Sequence, residues 1–261
     1  MIGVFDSGIG GLTVVKEINQ QLPGVSVLYL GDTARTPYGT KSLETIRQYA
    51  KECAEFLLKQ GATVVVIACN SASSAAAEEL RRTIAVPVFD VIAPAAKRAV
   101  DLSIKKRIGL IGTRATVNSD AYERAIHAID PNITVLGVPC PLFVPLVEEG
   151  WEKQGETVSI VKRCLQGLKT KTIDTLILGC THYSLLREII QRKIGRKVKL
   201  VDPAEEVVKE LATYLKRNPE IEKTLTKGED HRFFVTDVTE QFQAVAQHWL
   251  KRSLRLEKAV L

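Results

Sequence analysis

The 261-residue sequence predicts an α/β fold with two pseudo-symmetric domains, each a parallel-sheet α/β sandwich, and a site in the cleft between them. Short continuous apolar runs rich in Val, Ile and Leu alternate with amphipathic stretches, which is typical of parallel strands covered by helices on both faces. The sequence also contains an internal repeat, because strand and strand-end motifs of the first half recur in the second half in the same order and at a nearly constant offset. Together these two observations favour a duplicated parallel-sheet unit.

The repeat can be followed element by element along the chain. The matched pairs are residues 2–7 with 108–113, Leu30 with Leu136, the helix-like stretch 42–60 with 152–168, residues 64–68 with 175–179, Cys69 with Cys180, and Asp90 with Asp202. Further amphipathic stretches at 12–21 and 75–82 predict helices that pack one apolar face on a sheet. The pattern therefore predicts three successive strand–helix units in each half.

The last stretch of the chain, residues 218–261, has no counterpart in the repeat. It contains a strand-like run at 232–236 and a helix-like stretch at 239–251. Because it is too short to build a core of its own, we expect it to pad one of the two sheets.

Composition and cysteine usage exclude several classes of protein. With 45% apolar and 25% charged residues, the composition excludes disorder for most of the chain. Its longest apolar run, residues 62–69, is far shorter than the ~18 residues that a membrane span needs. Five cysteines without a CxxC pair predict neither a disulfide framework nor a zinc site. We therefore expect a reduced, cytoplasmic protein that binds no membrane and no metal.

A net charge of +6 raises the question of a nucleic-acid partner. The charges are mostly mixed in sign, and only residues 187–199 are locally basic. Such a run is typical of a solvated helix face, so we expect no nucleic-acid partner. A small acidic substrate also suits a basic protein.

Ligands of open α/β sheets bind beyond the carboxyl ends of the strands, so the residues after each apolar run are the candidates for function. They are Asp6, Ser7, Gly8, Asp32, Thr33, Cys69, Asn70, Ser71, Asp90, Gly112, Thr113, Pro139, Cys140, Cys180, Thr181, His182 and Asp202. Cys69 and Cys180 hold the matching strand end in the two halves. Each is expected to precede a helix N-terminus, which lowers the pKa of a thiol.

Two thiols in mirrored positions restrict the chemistry. A hydrolase uses one nucleophile, and a disulfide redox pair, although possible, normally has its cysteines close in sequence. A cysteine phosphatase places Arg six residues after its Cys, where this chain has Ala75 and Leu186. Racemisation fits best, because one thiolate removes a proton from one face of a carbon while one thiol protonates the other.

The residues beside the two thiols suit an amino-acid substrate. Asn70, Ser71 and Thr181 offer amide, hydroxyl and backbone N–H donors for carboxylates. Asp6 would hold a substrate ammonium or relay a proton to Cys69, and His182 would do the same beside Cys180. The glycine-rich segment 8–11 lacks the spacing of a nucleotide-binding loop, so no nucleotide is expected.

Five segments resemble the aspartate/glutamate racemase family, and within it the glutamate racemases. They are residues 5–11, 31–39, 68–72, 145–150 and 179–183, and the resemblance extends to at least Asp202. It implies a cytoplasmic homodimer that works without cofactor or metal and interconverts L- and D-glutamate. It also implies that the D-glutamate supplies peptidoglycan biosynthesis, and with it cell-wall biogenesis and cell shape.

The resemblance assigns residue roles as well. It implies that Cys69 acts on the D enantiomer and Cys180 on the L enantiomer, with proton transfer assisted by Asp6, Glu148 and His182. From the residues alone, Glu148 reads as a solvated turn carboxylate. The implied substrate contacts are Asp6, Ser7, Tyr38, Gly39, Asn70, Ser71, Thr181 and His182. The resemblance further implies one domain from residues 1–97 plus 208–261 and a second from 98–207.

Two positions depart from the family pattern, which usually has Pro at position 184 and often Thr at position 71. Ser184 lies outside the implied contacts, and Ser71 keeps a hydroxyl. Related enzymes act on aspartate or hydantoins, but the segments 6–8 and 37–39 favour glutamate. A non-catalytic protein that binds an acidic metabolite stays open as the alternative, although two intact thiols argue against it.

Overall fold

A computed structural model describes residues 1–228, 230–250 and 254–261. Its strands form two sheets in which every pair runs parallel. The first sheet contains β1 (Ile2–Asp6), β2 (Val27–Gly31), β3 (Val64–Ile67) and β4 (Val88–Asp90), with β9 (Arg232–Val235) and β10 (Leu256–Lys258) from the end of the chain. The second sheet contains β5 (Arg107–Gly112), β6 (Thr134–Pro139), β7 (Thr175–Gly179) and β8 (Lys199–Val201). We call the two sheets with their helices the first and second halves.

Helices connect successive strands. They are α1 (Leu12–Gln21), α2 (Leu43–Lys59), α3 (Asn70–Thr83), α4 (Ile92–Leu102), α5 (Arg114–Asn118), α6 (Ala121–His127), α7 (Phe143–Glu148), α8 (Gly155–Thr170), α9 (Arg187–Ile194), α10 (Pro203–Arg217), α11 (Pro219–Thr224) and α12 (Glu240–Leu250). Short 3₁₀ turns span Thr33–Arg35, Tyr38–Thr40 and Thr181–Leu186. No helix in the described ranges is long and apolar enough to cross a membrane.

The two sheets repeat one topology. The strand order is β10-β9-β2-β1-β3-β4 in the first sheet and β6-β5-β7-β8 in the second, so the four-strand core is ordered alike in both. The predicted fold class, two pseudo-symmetric parallel-sheet units, is confirmed. The sequence predicted three strands in each half, whereas the repeated core has four. The fourth strands, β4 and β8, were missed because they have only three residues each and make no long apolar run.

The chain's last segment extends the first sheet. β9 pairs with β2, and Phe233, Phe234 and Val235 are buried there, which explains why this tail returns to that edge. The predicted helix at 239–251 is observed as α12, and Lys251 lies outside the described residues.

Both faces of each sheet are covered, which is why the strands read as continuous apolar runs. In β1, Val4 packs with the apolar cluster that includes α1 and α10, whereas Phe5 points to the opposite face and the cluster of α2 and α3. The helix α4 follows a strand of the first sheet but packs in a cluster of the second half, while α10 follows β8 and packs on the first. The division at 97/98 and 207/208 stays a prediction.

One expectation about the cysteines is wrong. Cys140, at the end of β6, and Cys164, in α8, are joined by a disulfide, with 6.2 Å between their Cα atoms. They are 24 residues apart, and only the packing of α8 beside β6 brings them together, so their spacing gave no sign of it. The expectation of a fully reduced protein is corrected for this pair, whereas Cys53, Cys69 and Cys180 are free.

Candidate active site

The site lies at the topological switch point of each sheet, the place where the order of the strands changes direction. β1 has β2 on one side and β3 on the other, and β5 lies in the same way between β6 and β7. Connections leave such neighbouring strands in opposite directions, which opens a crevice at their carboxyl ends. The crevices of the two halves face each other and enclose one small cavity.

The cavity gathers nearly all of the predicted site residues. Those that line it are Ser7, Tyr38, Gly39, Cys69, Asn70, Ser71, Cys180, Thr181 and His182. The other two, Asp6 and Glu148, lie behind the lining and hydrogen-bond to it. The remaining lining residues are Thr36, Pro37, Thr113 and Val144.

The sequence places Thr113 among the strand-end candidates, but it was assigned no role in catalysis or substrate binding, although a signal for one was present. Thr113 is the repeat counterpart of Ser7, which was selected, and both follow the first strand of their half. Val144 carried no such signal, because it lies in α7 and reaches the cavity only through the packing of that helix.

Cys69 ends β3 and caps α3. Its Sγ accepts a hydrogen bond from the Ala72 backbone N–H at 3.5 Å and lies 3.7 Å from Ser7 Oγ. Burial raises the pKa of this thiol to about 12, and the charge of Asp6 adds to the rise, while the Ala72 N–H opposes it. The helix N-terminus acts on the pKa of this thiol in the expected direction, but burial outweighs it, so the expectation of a lowered pKa at Cys69 is wrong.

Cys180 ends β7 and precedes a 3₁₀ turn rather than an α-helix. Its Sγ lies 3.8 Å from His182 Nδ1, and the other ring nitrogen, Nε2, lies 3.0 Å from Glu148 Oε1. Burial opposes a charge on His182, but the hydrogen bonds to Cys180 and Glu148 outweigh it and raise the pKa of His182 to about 10. The His182 imidazole thus lies between the Cys180 sulfur and the Glu148 carboxylate.

Asp6 is fully buried at the end of β1. Its Oδ2 accepts the Gly8 backbone N–H at 3.0 Å, and its Oδ1 lies 3.5 Å from Thr181 Oγ1 of the other half. Burial raises the pKa of this carboxyl above its usual range, and the charge of His182 works in the opposite direction. Asp6 therefore lies close to both thiol-bearing strand ends.

Tyr38 contributes to the cavity wall without offering its hydroxyl. That hydroxyl donates to Asp32 Oδ2, while Thr236 Oγ1 donates to Asp32 Oδ1 at 2.9 Å. Arg35 Nε also binds Asp32, at 2.7 Å. The buried carboxylate of Asp32 thus fixes the loop that carries Tyr38 and Gly39, and Tyr38 lines the cavity with its other atoms.

Two glycines allow the halves to meet closely. A Cβ added at Gly10 would lie 2.7 Å from His182 Nδ1, and one at Gly39 would lie 2.6 Å from Thr113 Cβ. Any larger residue would push the halves apart at the cavity. These positions need glycine for its small size, since neither has a positive φ.

Polar contacts also cross between the halves. Ser71 Oγ lies 2.9 Å from Thr113 Oγ1 and 3.3 Å from Thr116 Oγ1. The Tyr122 hydroxyl donates to Asn70 Oδ1 at 2.6 Å. Since these bonds join residues far apart in sequence, the cavity is closed by direct contact of the two halves.

Within the described ranges, no three His, Cys, Asp or Glu side chains cluster in a way that could hold a metal ion. The titratable groups in and beside the cavity are two thiols, the imidazole of His182 and the carboxyls of Asp6 and Glu148.

Known proteins match over almost the entire chain. A family model described as Asp/Glu/Hydantoin racemase matches residues 2–211. The chain is 46% identical to a glutamate racemase of Geobacter metallireducens over 249 residues, covering 95% of this chain and 92% of the other. A crystal structure of a Bacillus anthracis glutamate racemase superposes with a TM-score of 0.94 at 38% identity, covering 100% of this chain and 97% of that one.

A second solved structure contains a ligand. The glutamate racemase of Francisella tularensis, solved in complex with D-glutamate, matches with a TM-score of 0.91 and 41% identity over 99% of this chain and 97% of that one. The resemblance seen in the sequence motifs is thereby confirmed. The chain belongs to the Asp/Glu/Hydantoin racemase family and is an amino-acid racemase, an isomerase.

Proposed function

We propose that this protein is a cofactor-independent glutamate racemase that interconverts L- and D-glutamate by proton transfer between Cys69 and Cys180. The observation that carries the proposal is the placement of these two free thiols. One comes from each half of the fold, and both line the same cavity. A reaction with one proton donor and one acceptor on opposite faces of a carbon needs such a pair.

In the L-to-D direction, the Cys180 thiolate removes the α-proton of L-glutamate. The C–H bond breaks, its electron pair stays on the α-carbon and delocalises into the carboxylate, and the proton moves to the Cys180 sulfur. The S–H bond of Cys69 then breaks and delivers its proton to the opposite face. The reverse reaction exchanges the roles of the two thiols.

The surroundings of the thiols support these starting states. His182, whose pKa is raised by its hydrogen bonds, lies 3.8 Å from the Cys180 sulfur and is itself bound to Glu148. Burial and the charge of Asp6 raise the pKa of Cys69 and so favour its role as the proton donor in the L-to-D direction. The two thiols of the proposed reaction thus have different surroundings, an imidazole beside Cys180 and a carboxyl near Cys69.

Donors around the cavity suit a substrate with two carboxylates. Asn70 and Ser71 begin α3, and Thr181 begins a 3₁₀ turn, so amide, hydroxyl and backbone N–H groups converge from both halves. The relative from Francisella tularensis was solved with D-glutamate, which favours the same substrate here. The other proposed substrate contacts are Asp6, Ser7, Tyr38, Gly39 and His182.

We extend the proposal to the cellular setting that the family resemblance implies. The enzyme would act in the cytoplasm as a homodimer and supply D-glutamate for peptidoglycan, with domains at residues 1–97 plus 208–261 and 98–207. This extension rests on membership of the family, whose model matches residues 2–211.

Proton exchange in D₂O tests the proposed reaction directly. The enzyme, treated with EDTA and given no cofactor, is incubated with L-glutamate, and the α-proton signal is followed by NMR while D-glutamate is quantified. We expect the signal to disappear as D-glutamate forms. Exchange of aspartate but not glutamate would reject the substrate assignment, and no exchange of any amino acid would point to a binding protein.

A further inference from the structure

Asn70 carries a buried amide nitrogen that has no hydrogen-bond partner. The residue is 3% exposed and lines the cavity, and its Nδ2 is one of the few buried side-chain atoms left unpaired in the described part of the chain. Unpaired buried N–H groups are rare in folded proteins. This nitrogen therefore points to an acceptor that enters the cavity from outside.

The other end of the same amide is held by the second half of the fold. Tyr122 lies in α6, is fully buried, and donates its hydroxyl to Asn70 Oδ1 at 2.6 Å. Its ring packs within 3.5 Å of the position that a Cβ on Gly179 would occupy, directly before Cys180. Tyr122 thus connects the strand end of one thiol to the residue that follows the other.

The length of the hydrogen bond between Tyr122 and Asn70 shows which end of the amide faces the tyrosine. A donor–acceptor separation of 2.6 Å is typical of O–H···O hydrogen bonds and short for N–H···O bonds. If the amide were reversed, the unpaired atom would be Oδ1, which repels a carboxylate, and the buried tyrosine proton would need another acceptor.

The two carboxylates whose charges act on Tyr122, those of Asp90 and Asp202, already accept hydrogen bonds from other groups. Asp90 Oδ1 accepts the Ile92 and Ala93 backbone N–H groups, at 2.6 and 3.2 Å. Asp202 Oδ1 accepts from Ser184 Oγ at 2.9 Å and from the Ala204 N–H.

Burial, together with the charges of Asp90, Asp202 and Cys180, raises the pKa of Tyr122 well above its ordinary value, so its hydroxyl keeps its proton. A hydroxyl that keeps its proton remains available as a donor to Asn70 at every pH at which the enzyme would work.

We propose that Tyr122 is a positioning residue for substrate binding, whose hydroxyl orients the Asn70 amide so that Nδ2 donates to a substrate carboxylate oxygen. The inference rests on the proposed racemase function and deepens it. Because the two residues come from opposite halves, this donor is oriented only when the cavity is closed. Tyr122 touches no substrate and takes no part in proton transfer.

The kinetic test is Tyr122→Phe, alone and combined with Asn70→Ala. Removing only the hydroxyl frees the amide to rotate, so we expect KM for both enantiomers of glutamate to rise about tenfold while kcat stays within about twofold. In the Asn70→Ala background the same change should have no effect, because the group that it orients is absent. Equal effects in both backgrounds, or a fall in kcat alone, would overturn the proposal.

A spectroscopic test needs no turnover. The chain has five asparagines, so selective ¹⁵N-asparagine labelling gives few side-chain NH₂ signals, and the Asn70 signal is assigned by its loss in Asn70→Ala. We expect the unliganded Tyr122→Phe enzyme to show a shifted or broadened Asn70 signal. An unchanged signal would overturn the inference. Failure of the proposed function is separate, since it would appear as absent turnover in the unaltered enzyme.

If Tyr122→Phe does not fold, Asn70→Asp supplies the second variant. It keeps an acceptor for Tyr122 but removes the Nδ2 donor, so KM for glutamate should rise at least tenfold. An unchanged KM would show that no substrate carboxylate uses this donor and would overturn the proposal.

Discussion

His182 and Glu148 are hydrogen-bonded through Nε2 and Oε1, 3.0 Å apart, although 34 residues separate them in the chain. The carboxylate comes from α7 and the imidazole from the turn after β7, so the contact ties the helix to the strand end that carries Cys180. Because His182 Nδ1 faces the Cys180 sulfur, Glu148 acts on the thiol through the imidazole.

Glu148→Gln should narrow the pH range of activity on its basic side. The pKa of His182 is raised from 6.5 to about 10, so its proton, and the stability that it contributes, is fully present below pH 6.5 and lost as the pH rises through about 10. Removing the Glu148 charge lowers the pKa of His182. We expect the basic limb of the kcat/KM profile for L-glutamate to move to lower pH. Glu149→Gln, an exposed neighbour, is the control and should leave that limb in place.

The two thiols should be separable by substrate enantiomer. Cys69→Ser and Cys180→Ser should each lower racemisation by about 10²- to 10⁴-fold, because a serine hydroxyl is a weak acid and a poor base here. With a glutamate analogue that carries a leaving group beside the α-carbon, elimination needs only the first proton removal. Cys69→Ser should still eliminate from the L form and Cys180→Ser from the D form. Equal loss from both enantiomers in both variants would contradict one thiol per face.

Gly10→Ala should reduce activity without a large loss of stability. The new Cβ would lie 2.7 Å from His182 Nδ1, so the second half must shift at the thiol that it carries. A shift of about 1 Å at reacting groups lowers kcat/KM by about 10²-fold. Gly167→Ala is the matched control, because Gly167 lies in α8 with nothing within 4 Å of an added Cβ. That control should keep full activity and stabilise the fold by about 0.5–1 kcal/mol.

Ser184→Ala should destabilise the protein in a pH-dependent way. Ser184 Oγ donates to Asp202 Oδ1 at 2.9 Å, and burial already raises the pKa of Asp202 to about 6. A carboxyl with a raised pKa costs stability as the pH rises from its unfolded value of 3.8 through about 6. Without the serine donor that pKa rises further and the loss extends to higher pH.

Urea unfolding at two pH values measures this effect. We expect Ser184→Ala to lower the free energy of unfolding by about 1–2 kcal/mol at pH 8, where Asp202 is charged, and by less at pH 5. Ser159→Ala, which removes an exposed hydroxyl bound to a helix carbonyl in α8, is the control. Equal losses at both pH values would show that the Ser184 hydrogen bond does not depend on the Asp202 charge.

Thiol counting checks the disulfide. Alkylation in denaturant without reductant should modify three cysteines, Cys53, Cys69 and Cys180, and alkylation after reduction should modify all five. Peptide mapping should recover the peptides of Cys140 and Cys164 linked to each other. Five modified cysteines without reductant would show that the pair is reduced in the purified protein.

Much of the fold and site could be predicted because the repeat marks equivalent strand ends. Cys69 and Cys180 were found that way, since parallel strands end at one edge of their sheet. Glu148 could not be found from the repeat, because its contact with His182 depends on how α7 packs against the turn after β7. The same holds for Tyr122, whose role depends on a contact 52 residues away in sequence. The pKa of Cys69 was predicted in the wrong direction, because sequence shows the helix N-terminus but not the depth of burial.

The exchange of α4 and α10 between the halves has a mechanical consequence. The chain leaves the first sheet after β4 and returns after β8, and at each passage an aspartate, Asp90 or Asp202, accepts backbone N–H groups of the helix that follows. Because α4 and α10 also contact each other, the two passages lie side by side. Two adjacent connections allow one half to bend relative to the other about the line that joins them, but they resist the twisting of the halves that a single linker would allow. Glutamate would therefore enter when the halves open like a clamshell. Each closure would return the two thiols to the same position relative to each other.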